Sequence, residues 1–137
     1  MSEPFIDTDV IIRLLTNDDP GKQKRAAKLF EQVETRKLTF FAPDTVIADA
    51  VYVLSSKQLY KKSREEVWEL LVPLVRLPKF KVKNRRIVLL ALAFYATTKL
   101  DFGDAMIVAA MEQVDSKVVY SYDTDFDKIT RISRRTP

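Results

Sequence analysis

Short β-branched or aromatic runs alternate with stretches of helical periodicity along the whole chain of 137 residues. The runs "PFID", "LTFFA", "FKV" and "KVVYS" read as strands, and "ITRIS" supplies a last edge strand. Between them the apolar residues recur at helical spacing: in "VIIRLL" directly after Asp9, then over about 20–36, 44–56, 62–75, 84–98 and 101–113. Pro43 closes the second strand, while Pro73 and Pro78 limit the helix that begins near residue 62. Strands separated by helices imply an α/β fold with a mostly parallel sheet covered on both faces. Right-handed crossovers then put several strand ends on one side, where open sheets gather their ligands. Acids far apart in sequence can meet there.

Composition narrows the chemistry. The length and the 47% hydrophobic content suit one domain spanning residues 1–137. With no cysteine and no histidine, there is no disulfide framework, thiol nucleophile, Ser-His-Asp arrangement or zinc protease motif. Any metal has to be held by oxygen, which favours Mg2+ or Mn2+. Lys and Arg total 23 against 19 Asp and Glu, a net charge of +4 that permits a polyanionic partner without demanding one. No leader of the secretory type opens the sequence, and "IVLLALAFY" and "VIADAVYVL" are too short to cross a bilayer, so a cytoplasmic protein is expected.

Several acids stand where surface acids are unusual. Asp7 ends the first strand; it is either a helix cap or a site residue, and because Asp9 is better placed to cap "VIIRLL", Asp7 is expected to face the crevice. Asp49 interrupts a helix apolar nearly all round and needs water, hydrogen bonds or a cation if it is buried. Asp44 is a first-turn acid favoured by the helix dipole. Asp101 sits at a cap position, whereas Asp104 begins an apolar face and is the better candidate for function. Asp123 lies two residues beyond the "KVVYS" strand, with Asp125 further out, Phe126 entering the core and Asp127 in solvent. Ser121 either closes that strand or orients an acid. Should Asp7, Asp49, Asp104 and Asp123 converge, their repulsion raises some pKa values until a divalent cation offsets it.

Taken in order, "FIDTDVIIRLL", "PDTVIADAVYVL", "LDFGDAMIVAA" and "YSYDTDFDKI" resemble the blocks of the PIN domain, most closely those of the VapC toxin ribonucleases, from Phe5 to Ile132. The resemblance implies a three-layer α/β/α sandwich around a five-stranded, mostly parallel sheet, and an endoribonuclease dependent on Mg2+ or Mn2+. It assigns the catalytic and metal-binding acids to Asp7, Asp49, Asp104 and Asp123, with Asp125 as an outer metal ligand and Ser121 in support. It also implies an RNA substrate, a protein antitoxin and a homodimer. The sequence departs from the family pattern twice: Asp9 stands where asparagine is usual, and Asp49 where glutamate is usual, one methylene shorter.

Positive groups gather in "KKSR", "KFKVKNRR" and "RISRR". Lys79, Lys81, Lys83, Arg85 and Arg86 are candidates for RNA-backbone contact, with solubilisation of exposed ends as the alternative. Tyr60, Trp68 and Phe94 fit core or subunit packing better than base stacking. Two other functions stay open at this level. "DTDVI" also resembles the start of aspartate-nucleophile phosphatases, and a PIN-like domain with a decayed site would bind RNA or protein without cleaving.

Overall fold

A computed structural model describes residues 3–137. Six α-helices form in the expected places: α1 (Thr8–Leu15), α2 (Pro20–Glu34), α3 (Asp44–Ser55), α4 (Arg64–Val75), α5 (Arg85–Thr97) and α6 (Phe102–Gln113). Their starts follow local chemistry. Asp19 caps α2 by accepting from the Lys22 amide, with Pro20 preset for the first turn. Ser63 and Glu66 make a reciprocal capping box for α4. Asp44 is the first-turn acid of α3, as expected, and accepts from Asn84 Nδ2 at 3.0 Å. Pro73 does not end α4 but lies within its last two turns, where the missing N–H removes one bond on an exposed face and the helix continues to Val75.

Strands are short. β1 (Phe40–Ala42) and β2 (Phe80–Val82) pair in parallel, with Phe40 opposite Phe80 and Phe41 opposite Lys81. The first extended segment joins β1 through a single parallel bridge, Phe5 to Phe41. β3 (Val118–Tyr120) pairs in parallel with β4 (Ser133–Arg135) as a second, separate sheet. β4 therefore begins where the expected "ITRIS" strand was to end, because Phe126 and the turn after it occupy the preceding residues.

The continuous five-stranded sheet thus differs from the hydrogen bonding, although all five extended segments are present and parallel where paired. Asp7 turns the chain into α1 directly after Ile6, so the first segment has no length to support a second neighbour. Val118 and Tyr120 accordingly remain 37% and 66% exposed.

One face of the β1–β2 pair is sealed and the other open, which corrects the expectation of helices on both. Phe30 of α2 meets Phe40 and Phe80 edge-on, with ring centroids 5.1–5.7 Å apart, and Phe40 and Phe80 are fully buried. The opposite face carries Phe41, half-buried, beside exposed Phe5 and Lys81. A contiguous core runs from Ile6 and Ile11 through α3, α4 and α5 to Phe126. Arg64 fastens the end of α5 and the approach to α6: its guanidinium donates to the carbonyls of Tyr95, Thr98, Lys99 and Leu100 and lies 4.4 Å over the Tyr95 ring. This clamp sets the loop that carries Asp101. No helix is long and apolar enough to cross a membrane among the described residues.

Candidate active site

The acids singled out by sequence fall into two groups. The first surrounds the start of α6 and the loop after β3. Asp101 caps α6 by accepting from the Asp104 amide at 3.0 Å, the role its position predicted. Asp104, half-buried in the first turn, hydrogen-bonds through its side chain with Asp123. Burial pushes the Asp104 carboxyl up to about 6, helped by the charges of Asp101 and Asp123, that hydrogen bond, and the charge of Asp125. An acid forced toward its neutral form beside three others is where a cation relieves the most repulsion.

Local bonds hold Asp123 in place. Its amide donates to Ser121 Oγ at 2.9 Å, and its Oδ1 accepts from the Asp125 amide at 2.9 Å to cap a single 3-10 turn, Thr124–Lys128. Phe126, 2% exposed, pins this turn to the core as expected. Asp125 pairs with Lys128 at 3.5 Å. Asp127 is not simply solvated: Arg134 donates to both of its oxygens, at 3.0 and 3.2 Å, and to the Ser121 carbonyl at 3.1 Å. The Arg134 guanidinium holds the Asp127 carboxyl below its ordinary range. Sequence reasoning missed Arg134 as the link between the end of β3 and β4, since "RISRR" shows only a basic cluster.

Asp7, Asp9 and Asp49 line a cavity of about 520 Å³ shared with Tyr52 and Tyr60, whose walls include neither Asp104 nor Asp123. Asp7, expected to be free, is instead the cap of α1, accepting from the Thr8 amide at 2.6 Å, and Asp9 is a first-turn acid. The helix begins earlier than the apolar stripe suggested, and Thr8 Oγ1 reaches the Val46 carbonyl of α3 at 3.5 Å. Asp49 is exposed, contrary to the expectation that it sits in an apolar surround. Thr45, Asp49 and Tyr52 make the solvent stripe of α3, while Val46, Ile47, Ala50, Val51 and Leu54 are buried. Asp18, not singled out in the sequence, is the best-partnered acid nearby: Tyr60 donates to it at 2.6 Å, Thr16 and Arg13 each at 3.1 Å. The Tyr60 hydrogen bond chiefly holds its carboxyl below the ordinary range and raises the Tyr60 phenol, which therefore has a polar task beyond packing.

Among the described residues, no set of three or more acids stands close enough to share one metal ion. The donor chemistry nevertheless suits a hard cation. Mg2+ is commonly held by one or two carboxylates together with water and substrate phosphate, which the Asp104–Asp123 pair can provide.

The cationic candidates also separate. The Arg85 guanidinium is turned inward, donating to the carbonyls of Leu77, Pro78 and Phe80, and its Nε is buried without a hydrogen-bond partner. Lys81, Lys83 and Arg86 are exposed and Lys79 is half-buried. Trp68 is 36% exposed, and Phe94 packs against the core from its edge.

The family model described as PIN domain matches residues 5–132. A VapC ribonuclease from Aquifex aeolicus (strain VF5) is 24% identical over 125 residues, covering 91% of this chain and 90% of that protein.

Proposed function

The chain belongs to the PIN-domain family, and we propose that it is a metal-dependent endoribonuclease, a single domain over residues 1–137 that serves as the toxin of a toxin–antitoxin pair. The observation that carries this reading is the half-buried Asp104 at the entrance to α6, its carboxyl raised by burial and by the neighbouring Asp101 and Asp123. The similarity to a VapC ribonuclease over nine-tenths of both chains supplies the substrate class.

In this mechanism Asp104 and Asp123 would hold Mg2+ or Mn2+, with Asp125 as an outer acid. When bound, the ion supplies Lewis acidity, an activated water and neutralisation of phosphoryl charge. Asp101 and Ser121 are positioning residues: one fixes the α6 terminus and the other the Asp123 amide. Asp7 and Asp49, which line the cavity beside Tyr52 and Tyr60, complete the catalytic set in this proposal, with Asp9 in support. Exposed Lys81, Lys83 and Arg86, with Lys79, offer salt-sensitive contacts to the RNA backbone. Arg85, committed to three carbonyls, is a structural residue in this scheme.

A homodimer, a protein antitoxin and a cytoplasmic setting complete the proposal. Trp68 on α4 and the half-buried Leu89, Leu90 and Phe94 on α5 offer apolar area for a twofold contact. Sedimentation across a concentration series, with and without Trp68→Lys, tests it.

The separation of the acids favours one other reading, a PIN-like domain that binds RNA without cleaving it. Incubation with RNA in Mg2+ or Mn2+, and again with chelator, distinguishes them. Metal-dependent cleavage that Asp104→Asn abolishes is expected; RNA binding without metal-dependent cleavage, with Asp104→Asn behaving like wild type, would overturn the nuclease proposal. A divalent cation should also raise the melting temperature by preferential binding to the folded state. The phosphatase alternative needs Asp7 as a nucleophile, and its engagement as the α1 cap disfavours that role.

A further inference from the structure

The open face of the β1–β2 pair has a composition unlike a surface that merely lacks a covering helix. The parallel register sets Phe5, Phe41 and Lys81 side by side across three chain segments. The Phe5 and Phe41 rings lie 5.5 Å apart, tilted by 31°, and Phe5 is 68% exposed. They floor a groove of about 630 Å³ whose rim includes Pro43, Lys81 and Lys83. Neither lysine forms an ion pair with another described residue. The opposite face carries only buried apolar residues, so the aromatic side chains here are not explained by the core.

We propose that this face is a platform for single-stranded RNA, on which Phe5 and Phe41 stack unpaired bases while Lys81 and Lys83 contact the backbone. Aromatic side chains on an exposed sheet flanked by cations satisfy both needs of an unpaired strand: a π-face for each base and counter-charge for the phosphates. Duplex RNA keeps its bases stacked on one another and has none to offer. Phe5 stands two residues before Asp7 on the same extended segment, about 7 Å along the backbone. The platform therefore lies within one nucleotide's reach, about 7 Å, of the Asp7 end of the first segment. The inference rests on the ribonuclease reading for its choice of RNA, and it adds both a site and a preference for unpaired substrate.

Fluorescence anisotropy with a short labelled oligoadenylate, and with a duplex of equal length, tests it on the full chain in chelator, where binding is read without cleavage. Phe5→Ala should weaken oligoadenylate binding by about 5- to 150-fold, the range of one lost base stack. Phe5→Leu, which keeps the apolar bulk, should weaken it as well and guards against a folding defect. Lys81→Gln with Lys83→Gln should lower the slope of log affinity against log salt by about 1.4. Equal affinity for duplex and single strand, or unchanged binding in both Phe5 variants, would overturn the platform. So would a change in sedimentation without a change in RNA affinity, which would assign the face to a second copy of the chain. Asp104→Asn separates the two proposals. If it cleaves like wild type while Phe5→Leu loses binding, the platform stands and the nuclease mechanism falls; loss of cleavage in Asp104→Asn with RNA binding intact in every variant has the opposite meaning.

Discussion

Asp49 and Asp104 each interrupt an apolar helix, and in the sequence they look alike. In the fold, Asp49 stands on the solvent stripe of α3 beside Tyr52, which is 75% exposed, whereas Asp104 is half-buried at the start of α6 among three other acids. Water screens the first; the second has lost part of its hydration and gained like-charged neighbours. Interruption of an apolar pattern therefore marks a functional acid only when the neighbouring elements close over it. At Asp104 the closing elements are the loop after β3, pinned by Phe126, and the α6 entrance, set by the Arg64 clamp.

The comparison predicts a graded response to neutral substitution. Asp104→Asn should lower the rate of RNA cleavage in saturating Mn2+ by about 10²- to 10³-fold, the scale of a lost charge-stabilising group at a reacting centre. Asp49→Asn should cost about 10-fold, the smaller loss expected of an exposed acid outside the Asp104–Asp123 pair. Single-turnover kinetics on one RNA measures both, and equal losses would erase the distinction between the two acids.

Linkage gives the next test. The folded pKa of Asp104, about 6, lies above the ordinary value of 3.8, so between those values the folded state binds more protons than the unfolded. In chelator, its contribution to stability should fall as pH rises through that window. Denaturant titrations of wild type and Asp104→Asn should accordingly converge at low pH and separate above 6, with the variant the more stable. Added Mn2+ should reverse the penalty in wild type alone, and its stabilising effect should fade as pH drops below about 6.

The smallest effect concerns the support behind Asp123. Asp127 is held below its ordinary range by Arg134, so that ion pair stabilises at neutral pH and is lost as pH falls through the lowered pKa. Asp127 is exposed while Arg134 is half-buried, and Asp127→Ala should change overall stability little. Amide exchange in β4 should quicken, and cleavage should drop less than in Asp49→Asn; a larger drop would move Arg134 from scaffold to site.

Much of the fold was legible. The order of helices and strands followed from periodicity, and the cap Asp101 followed from residue type and position. Phe126 was recognisable as an anchor because an aromatic stood alone among acids. Less legible were features that depend on partners distant in sequence. Asp7 became the α1 cap because the chain turns one residue after Ile6, and Arg134 found Asp127 only because β4 starts late. Arg85 lay within a run of cations, and nothing in that run shows that its guanidinium folds inward onto three carbonyls.

Local patterns alone established an oxygen-only ligand set, an alternating α/β order, three acids at the ends or openings of elements and a fourth, Asp49, inside a helix. These depend on residue identity and spacing within a few turns of chain. Which acids share a field, which sheet face stays open and which cations are spent internally were decided by tertiary packing. Coulombic and desolvation energies depend on distances through space and on what excludes water, and neither quantity is encoded in any single segment.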